Sequence, residues 1–509
     1  MIPSIVPTPL DTVATGLPDA AADRRVVLDP ELRPAFVAHG EAVHNLERLF
    51  STGALCITTG QQPGLFTGPL LTVHKALSAV ALARRWEAVL DRPVVPLFWV
   101  AGDDHDFAES NHCYLLGGNH AVERITLRDR RPDAPSTPMY RERLGADVTS
   151  AIDRITALTP DTEFRATILE WLTTHYRPDA TVAGAFGDAL AELLGRFGLV
   201  VFQPTHVTAK RAMAPHLLAA LDRWDALEAG LRSRADALEA AGAPVRVPVR
   251  PGETLVMVEG TRGRDRLLAD GECFHTRRAG ERWSLDALRA LAADDPQLLS
   301  PNVLLRPVIE AALLPTVAYV AGPGERQYLD QTSPIYDLLG IPAQRVVTRW
   351  SGRVVERRIE KILTRYGIEP DDLLGPEGQL EARLVRDAVP DDAAQAIEAL
   401  RQSLATEYDR LIDAAVALDP TLRKPATAAQ QRALRDVAGV EKRLISHLKT
   451  RNETLVRQLE AARAAVFPRG QPQERVLNVL QYLVRYGGDY LFGVLAACEE
   501  WASGQTGER

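Results

Sequence analysis

Cysteine is scarce in this chain and scattered. Only Cys56, Cys113, Cys273 and Cys498 occur among 509 residues, and no two form a CxxC pair. That spacing excludes the common zinc motifs and a disulfide framework, so reduced, mostly buried thiols in a cytoplasmic protein are expected. An excess of basic charge is missing too. The net charge is −8 and the isoelectric point about 5.9, which argues against a general nucleic-acid binder. Apolar runs are short: residues 94–101 and 311–321 are the richest, well under the roughly 20 residues needed to span a bilayer. The opening MIPSIVPTPLDTV has no basic segment followed by a long apolar stretch, so no signal peptide is expected. What remains is ordinary globular composition, 46% hydrophobic and 25% charged. The length implies two or three structural units.

Residues 1–30, rich in Pro, Asp and Ala, read as an irregular surface segment, and 31–50 as a helix. The run Ala54–Thr59 ends in Gly60-Gln61-Gln62-Pro63-Gly64, as a buried strand entering a loop does. Helical spacing follows over 69–87, with Pro69 suited to the first turn. Residues 94–101 form a second apolar run. Strand, loop, helix and strand make a βαβ crossover with parallel strands, whose ligands bind beyond the carboxyl ends. Further strands are expected at 198–202 and 315–321, helices at 183–197 and 211–241, a small β insertion at 245–276 and a second insertion at 111–145. Beyond Pro370, apolar residues recur at three- and four-residue steps from Ile397 to Leu418 and from Val437 to Val466. Two such helices around Pro420 predict an antiparallel coiled-coil hairpin. A helix continuous over 427–467 would be on the order of 60 Å long at 1.5 Å per residue, long enough for its seam to meet a second subunit. Asn452 lies near that seam, where it either fixes register or is simply solvated.

Chemistry concentrates in three places. The first is 60–75, where Gly60, Gln61, Gln62, Gly64, Thr67 and Gly68 lead into a helix bearing His74 and Lys75. A glycine-rich turn before a helix suits an anion, and the two side chains are expected to reach the same mouth, holding a triphosphate or stabilising negative charge. Neither GxxxxGK[ST] nor GxGxxG is present in this segment. The second is Gly102–His112, where Asp103, Asp104, His105, Asp106, Glu109 and Asn111 follow directly on an apolar strand. Such a cluster suits binding of an amino group, general base catalysis or a divalent metal. The third comprises Arg306, Gly322, Gly324, Glu325 and Tyr328. Arg306 either pairs with Glu310 four residues on or clamps a carboxylate. The two glycines allow close backbone approach to a ligand.

Taken together, Thr59–Leu70 with His74-Lys75, Phe98–Glu109, Pro301–Arg306, Leu314–Glu325, Phe467-Pro468 and Gln473–Asn478 are similar to the bacillithiol biosynthesis cysteine-adding enzymes, the BshC cysteine ligase family. The resemblance runs in order along nearly the whole chain. One departure is Gln203-Pro204-Thr205-His206, where an acidic residue is expected. The resemblance implies an α/β fold, with a Rossmann-like parallel-sheet core over 1–370 carrying insertions at about 111–150 and 207–300. An α-helical antiparallel coiled coil would occupy 371–509, its last helix returning to the core and its hairpin supporting a homodimer. It implies a ligase that joins L-cysteine to glucosaminyl-malate by an amide bond in the last step of bacillithiol synthesis. By analogy with class I aminoacyl-tRNA synthetases, ATP or another nucleotide would activate the cysteine carboxylate as an adenylate, with room for Mg2+. On that analogy His74 and Lys75 meet phosphate, while Asp103, Asp104, His105 and Asp106 orient cysteine or deprotonate the sugar amine. Neither nucleic acid nor membrane is an expected partner. A metal-dependent hydrolase built on Asp103, His105 and Asp106 is the alternative.

Overall fold

The computed structural model describes residues 2–8, 10, 28–51, 53–118, 120–376, 378–387, 391–451 and 453–504. Most of the N-terminal segment and Asn452 therefore lie outside the described residues. Two compact units emerge, residues 1–354 with 471–509, and residues 355–470. The division precedes the position near 370 read from sequence, because the helix Arg357–Tyr366 packs on Glu453–Val466 and Tyr366 donates to Gln458 at 2.6 Å.

The first unit is organised by a six-stranded sheet: β1 (Phe36–Val37), β2 (Leu55–Gln61), β3 (Val94–Val100), β4 (Val200–Phe202), β5 (Thr316–Ala321) and β6 (Arg345–Thr348). Its order is β6-β5-β2-β3-β4-β1. All pairs are parallel except the edge pair β1–β4. Continuous burial of β3 and β5 explains why their sequences are apolar without alternation. Helix α1 (Leu70–Leu90) makes the crossover between β2 and β3. Most of its residues are buried, because it lies between the sheet and the helix Asp489–Gly504. Chain order runs outward from β2 through β3 to β4, then jumps back across β2 to β5. The strand order thus reverses between β2 and β5, the place where such sheets open a crevice.

The long β4-to-β5 connection carries helix α2 (Val207–Asp222), the helix Trp224–Ala240 and a five-stranded antiparallel sheet. That sheet contains Glu253–Gly260, Gly263–Asp270 and Leu299–Pro301. It fulfils the β insertion and extends it to residue 301. Segment 111–145 holds an antiparallel hairpin, His112–Leu116 with Val122–Thr126.

Two expected helices are divided. Over 31–50, Pro34 and the left-handed Gly40 (φ 54°) confine the helix to Glu41–Ser51, and Phe36-Val37 become β1. Over 211–241, Arg223 at φ −114° separates two helices. In the second unit, the span expected as one helix over 427–467 is helical over Arg423–Arg451 and Glu453–Val466, with Asn452 outside the described residues. Asp391–Leu418 packs antiparallel to Arg423–Arg451. Arg401 meets Glu441 at 2.8 Å and Asp409 meets Gln430 at 2.8 Å, so partner numbers run in opposite directions.

Candidate active site

A cavity of about 740 Å³ opens at the carboxyl ends of β2, β3 and β5, within the first unit. β2 supplies Gly60 and Gln61, and α1 supplies Lys75. The acidic loop after β3 supplies Asp103, Asp104 and Glu109. Helix α3 (Arg306–Leu313) supplies Arg306, and helix α4 (Pro323–Leu329), with its cap, supplies Gly322, Glu325 and Tyr328. Gln62 and Gly324 also line it. Three segments far apart in sequence thus share one wall.

Ion pairs fix that wall. Lys75 donates to Glu325 at 2.6 Å, to Gln61 at 3.2 Å and to the Gly60 carbonyl. Glu325 also accepts from Tyr319 at 3.0 Å and from the Gly322 N–H at 2.8 Å. Burial works to raise the Glu325 carboxyl, but the Lys75 charge and these bonds hold it below its usual range. Arg306 pairs with Glu310 at 2.9 Å and also lies over the Tyr319 ring at 5.0 Å. Both sequence readings of Arg306 are therefore compatible, since it is paired and lines the cavity. Among the described residues its Nη2 is buried without a partner within hydrogen-bond distance. Burial, followed by the Glu325 charge, pushes the Tyr328 hydroxyl up to about 12.

The acidic loop is held by its backbone. The Met139 N–H donates to the Asp104 carbonyl at 2.7 Å, Arg130 donates to the His105 carbonyl at 2.9 Å, and Gln62 reaches the Asp106 carbonyl at 3.3 Å. Asp103 accepts from Lys210 at 2.5 Å. Asp104 accepts the Asp106 N–H at 3.0 Å. Glu109 sits at the exposed rim, its carboxyl raised by partial burial and by the Asp106 and Asp104 charges. Asp106 is exposed and caps the short helix Phe107–Ser110. His105 turns Nδ1 toward Arg264 at 3.5 Å. Asp103, His105 and Asp106 do not converge, and no group of three His, Cys, Asp or Glu residues suited to a metal occurs among the described residues. That removes the geometric basis of the hydrolase reading.

Several expected site residues stand outside the cavity lining. His74 and Lys75 do not reach the same mouth. Neighbours on a helix point about 100° apart, so His74 turns away from the cavity to meet Glu474 at 2.8 Å and the Trp350 ring. Glu474 is clamped by both terminal nitrogens of Arg349, one at 2.8 Å, and accepts from Ser351 at 2.8 Å. Burial lowers the His74 pKa, so we take it as neutral, donating from Nδ1, with Arg349 as the countercharge of Glu474. Gly64, Thr67 and Gly68 build a turn. A side chain at Gly64 would come within 2.9 Å of the Gly68 Cα, and Gly68 has φ 70°. Phe66 and Thr67 take φ 53° and 68°, strained values for non-glycine residues. Asn111 is buried and donates to the Arg128 carbonyl at 3.1 Å.

Lys210, Arg264 and Arg349 escaped the sequence reading, and Glu474 entered it only as part of the motif Gln473–Asn478, without a role. The four lie in α2, in the antiparallel sheet, after β6 and in the C-terminal return, with no local pattern to mark the first three. Only Glu474 carried a signal. The polar set Gln473, Glu474 and Asn478 interrupts an apolar stretch, and all three are buried.

The comparisons agree with the fold, a Rossmann-like domain followed by a coiled-coil domain. Residues 28–350 match the family model for the N-terminal Rossmann-like domain of bacillithiol biosynthesis BshC, and 353–503 match that for its C-terminal coiled-coil domain. A protein of Heliobacterium modesticaldum, named "Putative cysteine ligase BshC", is 31% identical over 90% of this chain and 84% of its own length. Like-named proteins of Chlorobaculum tepidum and Salinibacter ruber are each 30% identical, over 89% and 93% of this chain and 82% and 86% of theirs. With both of its domains matched and relatives aligned along most of their length, the chain belongs to the BshC family of bacillithiol biosynthesis.

Proposed function

We propose that this chain is a ligase that forms an amide between the carboxyl of L-cysteine and the amine of glucosaminyl-malate. Family membership carries the ligase class. The observation that supports the reaction is the cavity at the β2/β5 reversal, whose lining holds both cationic side chains and carboxylates that form no ion pair among the described residues. Arg306, Arg349, Arg475 and Lys75 line it together with Asp104 and Glu109. An amide ligation brings together anionic and amino groups, and this mixture of charge suits both.

The residues also fit a nucleotide. The unpartnered Arg306 Nη2 and the exposed Arg475 are suited to phosphate oxygens. A nucleotide bound there would supply activation of the cysteine carboxylate, so that one carboxylate oxygen could leave with a phosphate as the amide forms. Asp104 orients the incoming amine. Glu109, whose raised pKa makes it a stronger base, takes the amine's proton as the carbon–nitrogen bond forms. Asp103 is a positioning residue, anchored on Lys210. We place the reaction in the cytoplasm, where thiols stay reduced. No described helix is long and apolar enough to cross a membrane.

The test is incubation of the purified protein with ATP, L-cysteine and glucosaminyl-malate, with and without Mg2+, followed by mass spectrometry. The amide product is expected. Its absence under all nucleotide and metal conditions would sink the reading.

A further inference from the structure

We propose that Arg264 is the oxyanion anchor of the cavity, its Nη1 receiving a carboxylate or phosphate oxygen of a bound ligand. The proposal deepens the ligase reading, on which its choice of probes rests.

Four other cations in or beside the cavity sit in ion pairs. Lys75 pairs with Glu325 at 2.6 Å, Arg306 with Glu310 at 2.9 Å, Arg349 with Glu474 at 2.8 Å, and Lys210 with Asp103 at 2.5 Å. Arg264 lines the same cavity and is 9% exposed, yet it forms no ion pair among the described residues. Its contacts are neutral. Nε donates to the Ser300 hydroxyl at 2.9 Å and Nη2 to the Pro301 carbonyl at 2.7 Å. Among the described residues Nη1 has only His105 Nδ1, at the limit of 3.5 Å.

Nearby carboxylates other than Asp104 are committed elsewhere. Asp103 is held by Lys210. Glu259 is held by Arg141 at 2.8 Å and by Tyr140. Asp265 accepts the Arg278 N–H at 2.6 Å. Asp104 acts on Arg264 only across space. A guanidinium withdrawn from water without a countercharge is costly, because lost hydration is not replaced. A ligand oxyanion offsets that cost and gains a charge-assisted hydrogen bond. The two neutral contacts and the strand Gly263–Asp270 fix the guanidinium before the ligand arrives, so little ordering entropy is lost on binding.

Three ligand groups share this chemistry: the cysteine carboxylate, the malate carboxylates and the nucleotide phosphates. Titration calorimetry on the full chain separates them with paired probes: L-cysteine against cysteamine, glucosaminyl-malate against glucosamine, and ATP against adenosine. The native protein is expected to prefer at least one anionic member by tenfold or more. Arg264→Gln should abolish that preference while leaving affinity for the partner that lacks the carboxylate or phosphate within twofold. Arg264→Lys, which keeps the charge but cannot hold Ser300, Pro301 and ligand together, should reduce the preference at least threefold. The proposal is overturned if the native protein shows no anionic preference in any pair. It is equally overturned if a folded Arg264→Gln retains the preference, or if Arg264→Gln does not fold and Arg264→Lys retains it in full. Loss of preference in the variant with no amide product from the native protein would overturn the ligase reading alone.

Discussion

Lys75 and Glu325 stand 250 positions apart in sequence, and their charged tips are 2.6 Å apart. This pair joins the helix after β2 to the turn after β5, across the point where the sheet reverses direction. Lys75 is 1% exposed and the Glu325 side chain 24%. Removing one partner strands the other charge. Lys75→Met should abolish product formation and lower unfolding free energy by about 2 kcal/mol, less than for a wholly buried pair. A urea titration measures the second effect. In the double variant with Glu325→Gln, part of the stability should return, and strictly additive losses would count against the coupling.

The His74–Glu474–Arg349 cluster predicts acid lability with a definite sign. Burial lowers the His74 pKa, and Arg349 adds to this. Glu474 is also depressed: burial opposes ionisation, but bonds from His74 and Arg349 prevail. In both cases the unfolded chain binds protons that the native one refuses, so stability rises with pH. The His74 contribution is present above its unfolded value of about 6.5 and is lost as pH falls below it. That of Glu474 is lost only below about 4.3. Unfolding free energies at pH 7.5 and 5.5 should therefore differ, and His74→Gln should shrink the difference. An unchanged slope would mean that His74 is not the titrating group.

Asn478 holds the strained turn before α1. Its amide donates to the Phe66 carbonyl at 2.9 Å and the Gly68 carbonyl at 2.7 Å, and the Leu70 N–H donates to the Leu477 carbonyl at 2.8 Å. Asn478→Ala leaves two buried carbonyls short of a donor and should cost roughly 2–3 kcal/mol. Activity should fall as well, since the turn sets where Lys75 enters the cavity. A stability change below about 0.5 kcal/mol would show that Phe66 and Thr67 hold their conformations unaided.

Gly60 is adjacent to Trp99 in the β2–β3 ladder. A methyl group there would meet the Trp99 carbonyl at 2.9 Å and its Cβ at 3.2 Å. Gly60→Ala is expected to lower thermal stability by about 1–3 kcal/mol through overpacking and to impair ligand binding beside Gln61. Unaltered melting and substrate affinity would contradict this.

We propose a homodimer formed through the helical hairpin, where Leu411 and Val440 remain 53% and 60% exposed. Leu411→Glu with Val440→Glu should convert a dimer to a monomer in light scattering. A native chain that is monomeric at micromolar concentration would refute the dimer.

Periodicity and punctuation in the sequence determine the elements themselves. The apolar runs at β2, β3 and β5, the helix between the first two and the hairpin with opposed heptad faces are local consequences of burial and turn chemistry. The carboxyl-end loops Gly60–Gly68 and Gly102–Asn111 were legible for the same reason, because polar residues directly after a buried strand have few packing explanations. What tertiary structure alone decided is which of those residues face the cavity and which charges meet. Consecutive residues on α1 diverge by about 100°, so Lys75 entered the cavity and His74 joined Glu474, a residue 400 positions away. Lys210, Arg264 and Arg349 gained their places from a long insertion and from strand order. Ion pairing depends on distance in space, and spacing along the chain does not reveal it.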